Sequence, residues 1–520
     1  MKKHIALILA AVLLCSLFAG CGGGESGTEE TVPAGSGTMS LGYAKADVTP
    51  PLDIPLDGYQ GNDSAQFRRS KANEWPFYAI CVAFTDASNK TFMLITLDML
   101  NAYMADSMRD AVSKETGVPK ENIMFHVTHN HSGPSLRVDH PTVTPYISQL
   151  TNGVLTAAKE ALKTRAPLTG MYTTYARPEN CNTERHYLLA DGSYQSYAVG
   201  SVPKDQLIGH YGVSDNLLQL VKFTREGAKD VVMVNWQGHP PGTNPNTIAT
   251  SNYPGVLRNY LETNMNCEAI FVLGGSGNLN NNSQIKSEVS HGGDYQLLGQ
   301  TLGAAAVEAA ANFTEKNVDS IRIKERELAL NNRDGGVAKV WVYAISVGDF
   351  ALVTAPFEIF DDNAVAVREA SPYAMTFYAS CCNGSNGYLP TPPSFGWKIT
   401  YESRTTKFPE GTAEIVQNNL TEMLSQIASE SGYQASEKPA DYYQADFEPK
   451  SDGKVYQVMD PGNTGKYTAA ENNFYAFQVL NGISIKNMLC KDEDLVKQIL
   501  SKTTVELLFD EQNVVVGIKE

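Results

Sequence analysis

Short apolar runs alternate along most of the chain with longer stretches whose apolar residues recur every three or four positions. TFMLITLDML (91–100), NIMFHV (122–127), DVVMVNW (230–236) and AIFVLGG (269–275) are short and continuous, and they predict buried strands. ADSMRDAVSKET (105–116), VTPYISQLTNGVLTAAKEALKTR (143–165), YPGVLRNYLETN (253–264) and DYQLLGQTLGAAAVEAAANF (294–313) carry the helical period and predict helices. Strand and helix alternate from Leu41 to about Ile427. That alternation predicts an α/β core of mixed β-sheets flanked by helices. ASESGYQASEKPADYYQADFEPKSDG (428–453) turns polar and charged, which marks a linker at 431–450. Residues 451–520 then predict a small α+β module. It has one helix in DEDLVKQILSK and a hairpin in TTVELLFDEQNVVVGIKE, turning at Glu511, Gln512 and Asn513.

The N-terminus has a different pattern. Lys2 and Lys3 precede an apolar stretch at 5–19, too short to span a membrane comfortably as a mature helix. LFAGC, ending at Cys21, resembles a bacterial lipobox with Phe18 in the place leucine usually takes. The resemblance implies a signal peptide at 1–20, cleavage before Cys21 and a diacylglycerol on its thiol. An ordinary secretory signal is the alternative. GGGESGTEETVPAGSGT has the composition of a flexible spacer, giving a tether at 21–40. The expected location is extracytoplasmic, lipid-anchored to the membrane through Cys21.

Charge and cysteines narrow the class. The 520 residues are 42% hydrophobic and 19% charged, enough for a sizeable core. A net charge of −16 disfavours nucleic acid and anionic membrane surfaces as partners. Apart from Cys15 and Cys21, the cysteines are Cys81, Cys181, Cys267, Cys381, Cys382 and Cys490. None has the CxxC spacing of a zinc site, and no disulfide pair is indicated. Cys81 and Cys267 lie in apolar runs and read as buried thiols. The pattern specifies no oligomeric state.

Candidate chemistry gathers in FHVTHNHSGPS (125–135), which holds three of the nine histidines. His129 and His131 are two apart, so an extended backbone would aim both at one cavity, with Gly133 and Pro134 turning the chain away. His126 would face the other way and be structural. The spacing fits a metal ligand beside a second ligand or proton carrier, and it also fits a polar loop of solvated histidines. His239, in VMVNWQGHPPG, follows an apolar strand, where ligands of α/β scaffolds sit. A surface-loop histidine is the other reading.

Taken together the motifs resemble the neutral, non-lysosomal ceramidase family in its catalytic N-terminal domain. They are GYAKADVTPPLDIPLDGY, THNHSGP, NWQGHPPG with TSNYPG, APFEIF, NGSNGYLPT and TYES, in the family's order across 41–430. The resemblance implies a zinc hydrolase domain with one Zn²⁺ held by His129, His239, Glu358 and Tyr388. It places His131 beside the metal as proton carrier or outer partner. It implies an amide (N-acyl) bond of a small-molecule or lipid-like substrate cleaved by metal-activated water, with an ester as the near alternative. On their own residues, Glu358 also reads as a helix-start carboxylate and Tyr388 as a buried aromatic.

The chain departs from the family pattern in several places. SGNLNNN puts Asn280 where the family has a catalytic serine. Asparagine is no such nucleophile, but its amide can hydrogen-bond substrate or water. Phe357 replaces a glycine and would reshape the pocket wall. Glu184-Arg185-His186 stands for an Asn-Arg-Arg run; Arg185 either holds a substrate carbonyl or makes a surface ion pair. The glycines at 274–277 lack a following Lys-Ser/Thr and read as a turn. The family's C-terminal immunoglobulin-like domain is not recognisable, and the role of 451–520 is unassigned. A non-catalytic ligand-binding lipoprotein that retains the fold is the rival reading. The lost serine favours it, and the full set of ligand positions opposes it.

Overall fold

The computed structural model describes residues 38–58, 67–196, 204–243, 245–285, 288, 290–397, 400–439, 442 and 448–519. The signal peptide at 1–20, Cys21, the tether up to residue 37 and part of the 431–450 linker lie outside the described residues.

Eight strands form the backbone of the larger sheet. They are β1 Ser40–Asp47, β2 Tyr78–Thr85, β3 Thr91–Leu97, β4 Ile123–Val127, β5 Ala166–Ala176, β6 Leu218–Arg225, β7 Val231–Trp236 and β8 Glu268–Leu273. Their order is β8-β7-β6-β5-β1-β2-β3-β4, and a ninth, β9 Thr314–Lys316, also pairs with β5. Most neighbours are antiparallel. The parallel pairs are at the two ends, β3 with β4 and β7 with β8. Parallel neighbours need a crossover, and the expected helices supply it. Of α1 Ala105–Thr116, α2 Val143–Lys163 and α3 Asn252–Met265, the first joins β3 to β4 and the third joins β7 to β8.

The continuous apolar strands are buried on both faces. On β2, Ala79, Cys81 and Ala83 face a cluster shared with α1 and α2. Ile80, Val82 and Phe84 alternate with them and face a second sheet. That sheet is β10 Ile321–Asn331, β11 Val337–Val347, β12 Phe350–Thr354 and β13 Met375–Ala379, in this order. Here β12 and β13 are the parallel pair. Four further helices complete this part: α4 Tyr295–Ala309, α5 Asp361–Ala370, α6 Tyr401–Thr405 and α7 Thr412–Ser431. α5 crosses from β12 to β13. With α7 it covers the outer face of the second sheet, while α3 and α4 cover β6 to β8. The layers run helix, sheet, sheet, helix, as the mixed-sheet α/β expectation required.

The two ends of the large sheet meet in space. Leu273, ending β8, gives its N–H to His126 Nε2 of β4 at 3.1 Å. The chain leaving β13 ties both ends: Ser380 N–H bonds Leu273 O at 3.0 Å, and Asn383 N–H bonds Phe125 O at 2.8 Å. His126 is structural, as expected. It also bonds Thr96 Oγ1 at 2.8 Å, and burial holds its pKa down at about 3.

The C-terminal residues form a six-stranded sheet with α8 Glu493–Leu500, and the hairpin turns at 511–513 between Asp510 and Val514. The module is fused to the body through a shared core. Phe474, Leu489 and Val514 pack against Leu188, Tyr194 and Ile208 of the small sheet that includes His186–Leu189. Apolar residues of two regions distant in sequence make that core, so the polar linker gave no sign of it. Cys81, Cys181, Cys267, Cys381, Cys382 and Cys490 are all free and buried. Among the described residues no helix is long and apolar enough to cross a membrane.

Candidate metal centre

The four expected ligands and His131 follow the C-terminal ends of strands that pair in parallel within the two main sheets. His129 and His131 follow β4, His239 follows β7, Glu358 follows β12 and Tyr388 follows β13. Such ends are where open α/β sheets leave crevices for ligands. Because the β4 and β8 ends are stitched together, the loops converge. The ligand atoms of His129, His131 and His239 all lie within 4.8 Å of one another.

The route to this convergence differs from the extended-strand expectation. β4 stops at Val127, and His129 has φ 59°, in the left-handed region. The chain thus coils through the site. The two rings still meet, centroids 5.1 Å apart. The solvated-loop and surface-loop readings fail for His129 and His239, which are 3% and 6% exposed. Gly58 makes room at His131: its φ is +114°, and a Cβ there would sit 2.8–2.9 Å from the imidazole.

Hydrogen bonds fix the ring tautomers. His129 Nδ1 donates to Leu100 O at 2.9 Å, which leaves a lone pair on Nε2. That Nε2 is 3.1 Å from Glu358 Oε2. The contact lacks hydrogen-bond geometry, and buried Oε2 has no hydrogen-bond partner. His239 Nδ1 donates to Ser276 O at 3.2 Å, so its Nε2 also points a lone pair inward, 2.9 Å from His131 Nε2. Asn281 Nδ2 holds the His239 carbonyl at 2.7 Å.

Several lone pairs on one point call for a positive charge. Burial opposes a proton on His129, yet Glu358 and Cys381 beside it raise its pKa well above the ordinary value, so a proton competes with a metal ion for the Nε2 lone pair. Burial, then His129 and other cations, push His131 and His239 well below theirs, so both are neutral imidazoles. Burial works against the Glu358 charge, but His129, Tyr388 and Arg185 hold its carboxyl below the usual range. Three converging imidazoles, a carboxylate with a buried oxygen and an adjacent phenol are a donor set that fits a divalent metal, which would take the place of the proton on His129.

Glu358 is brought to the site by close backbone approach. Gly277 N–H bonds Ile359 O at 2.7 Å, and a Cβ on Gly277 would lie 2.7 Å from Glu358 O. Glu358–Ile359 and Tyr388–Leu389 pair as short parallel strands, with Glu358 opposite Tyr388. Burial and Glu358 raise the Tyr388 phenol well above its usual pKa, so it is a neutral donor. Tyr388 is neither deeply buried nor remote, because it lines the cavity above the histidines.

Two expectations from the departures need correcting. Phe357 does not form the pocket wall: it is buried in the core beside Phe408, ring centroids 5.4 Å apart. Arg185 does not make a surface ion pair. It is buried, and Nε and Nη2 clamp Glu402 Oε1 at 2.7 and 2.6 Å. Its guanidinium lies 5.4 Å from the Tyr388 ring centroid. Asn280 sits on Leu279–Asn280, paired with Thr183–Glu184, and lines the same cavity as His131, Arg185, His239 and Tyr388. The cavity measures about 940 Å³.

Behind Arg185 lies a network that the sequence reading missed. His186 Nδ1 bonds Glu184 Oε1 at 2.5 Å, and His186 Nε2 bonds Glu402 Oε2 at 3.0 Å. Asn278 Nδ2 bonds Glu184 Oε2 at 2.5 Å and Asp361 Oδ1 at 2.6 Å. The available signal was TYES itself, a glutamate in the family-like motif that comes next after the one supplying Tyr388. Cys381 was also passed over; its Sγ is 3.6 Å from His129 Nδ1.

Comparison with solved structures places the architecture. A neutral ceramidase from Pseudomonas aeruginosa superposes with TM-score 0.61 at 15% identity, covering 86% of this chain and 92% of that one. A ceramidase complexed with C2 gives TM-score 0.59 at 14% identity and the same two coverages. The chain has the fold of these ceramidases. No protein-family model matches its sequence, and no curated protein does.

Proposed function

We propose that this chain is a metal-dependent hydrolase that binds Zn²⁺ through His129, His239, Glu358 and Tyr388 and cleaves an N-acyl bond. The observation that carries the reading is the meeting of inward lone pairs on His129 Nε2, His239 Nε2 and Glu358 Oε2 under a large cavity. When bound, zinc supplies Lewis acidity to the scissile carbonyl and to the attacking water. The residues do the rest. His131, neutral and facing the cavity, takes a proton from water as the new C–O bond forms. It returns that proton to nitrogen as the C–N bond breaks. Arg185, held rigid by Glu402, and the protonated Tyr388 hydroxyl donate to the developing oxyanion. Asn280 holds substrate or water by hydrogen bonds, and no serine nucleophile is needed.

Tyr388→Phe removes one such donor and leaves the ring. The expected result is a fall of about 10²-fold in kcat with KM little changed. Unchanged turnover of N-acyl substrates by Tyr388→Phe would remove Tyr388 from the mechanism.

The same proposal puts the enzyme outside the cytoplasmic membrane, anchored by lipid on Cys21. Metabolic labelling with a clickable fatty acid is expected to mark the wild type and not Cys21→Ala. Equal labelling of both would return the N-terminus to an ordinary secretory signal.

A further inference from the structure

The cavity over the centre has an unusual lining for an enzyme of lipids. Ligand pockets are mostly apolar, with a few polar groups. Among the described lining residues here, Ile248 and Pro241 are the only aliphatic side chains. The walls are amide and carboxylate groups: Asn281, Asn282, Gln284 and Gln296, with Glu74 and Asp294. Asn281 itself serves the protein: its Nδ2 holds the His239 carbonyl at 2.7 Å and its buried Oδ1 lies beside Gly238, which leaves Asn282, Gln284 and Gln296 as the amides offered to a ligand. Tyr295, hydrogen-bonded to Glu74, and Tyr401 add flat rings to the same walls.

A long alkyl chain gains about 0.8 kcal/mol for each methylene moved out of water, but only against apolar surface. Laid along these amides it would also strip them of water without replacing their hydrogen bonds. The nearby apolar crevice, lined by Leu97, Met99, Met104, Met108, Phe125 and Leu150, offers about 20 Å³. A single water needs roughly 10–15 Å³ on that measure, so the crevice admits one small group and no chain.

We propose that the molecule bound over the metal centre is a hydroxyl-rich, water-soluble amide, an N-acylated amino sugar with a short acyl group. The inference rests on the hydrolase reading for the bond cleaved, and on the lining alone for the group bound. Carboxylates accept from neighbouring hydroxyls, carboxamides donate and accept, and tyrosine rings cover the C–H faces of a pyranose. Glu74 and Asp294 on the walls disfavour an anionic sugar.

The test uses the full chain in detergent with zinc. Methyl N-acetyl-glucosaminide and N-acetylsphingosine, matched in acyl group, are compared by release of primary amine. The glycoside is expected to show a kcat/KM at least about 10-fold higher, and Gln284→Leu with Asn282→Leu to shrink that ratio about 10-fold. Gln296→Leu, on the exposed start of α4, is the second variant if the pair folds poorly. Equal or better cleavage of the sphingosine amide, or a ratio unmoved by these variants, overturns the inference. If neither amide is cleaved, the hydrolase reading fails, and saturation-transfer NMR of the glycoside decides the inference alone. A signal lost in the variants supports it, and no signal in the wild type overturns it.

Discussion

Purified from zinc-containing medium and dialysed without chelator, the wild-type chain is expected to keep about one zinc. His129→Ala and His239→Ala are each expected to keep less than about a tenth of one, with amide cleavage at background. The expectation follows from geometry. Each imidazole is buried, each has its Nδ1 committed to a backbone carbonyl, and each offers its other nitrogen to the same point. Alanine removes the lone pair and leaves Glu358 Oε2 buried with no cation to meet it. Elemental analysis and calorimetric zinc titration read the loss directly. Zinc retained at wild-type level by both variants would end the metal-centre reading. Zinc retained without hydrolysis of any acyl substrate would leave a metal-binding protein and turn attention to the rival, a ligand-binding lipoprotein.

Glu402→Ala is expected to destabilise the protein by about 3–5 kcal/mol, because it leaves the buried Arg185 without its carboxylate and His186 with Glu184 alone. Arg185 and His186 both lean on this one carboxylate, which is itself fully buried. The network also predicts how stability varies with pH. Burial opposes the Glu402 charge, but Arg185 and His186 hold its pKa down at about 2 against an ordinary 4.5. Its contribution is complete above 4.5 and is lost as pH falls through 2. Burial likewise opposes the His186 charge, but Glu184 and Glu402 raise its pKa to about 9 against an ordinary 6.5. That contribution is complete below 6.5 and is lost as pH rises through 9. The network thus stabilises most between pH 4.5 and 6.5. Urea midpoints across the range should decline on the alkaline side in the wild type and decline less in His186→Gln. An identical alkaline decline in both proteins would show that His186 carries no charge in the fold.

Legibility in the sequence followed the range of the interactions. Periodicity located β3, β4, β7, β8 and helices α1 to α4, because a strand buried on both faces and a one-sided helix each write their surroundings into consecutive residues. The hairpin turn at 511–513 was legible for the same local reason. Family-like motifs marked His129, His239, Glu358 and Tyr388, and the structure brings all four to one place. The rest depends on partners far along the chain. Nothing near Arg185 announces that Glu402 will bury it, and nothing near Phe357 tells that Phe408 draws it into the core. The left-handed turn at His129 is set by backbone bonds to β3 and its loop, with Thr128 N–H on Leu97 O and Asn130 N–H on Met99 O. Spacing suggested one shared face for the two histidines, but not this means of achieving it.

The stitching of the two sheet ends has a kinetic consequence. The donors lie on four segments distant in sequence, and no adjacent pair of them forms a chelate of its own in a disordered chain. The site comes into being only after long-range strand pairing is complete, and such pairing is slow. Metal uptake by the complete site would therefore fall at the end of folding rather than nucleate it. An ion bound there would stabilise the finished protein by its binding energy less whatever His129, His131 and the Cys381-Cys382 pair hold in the unfolded chain.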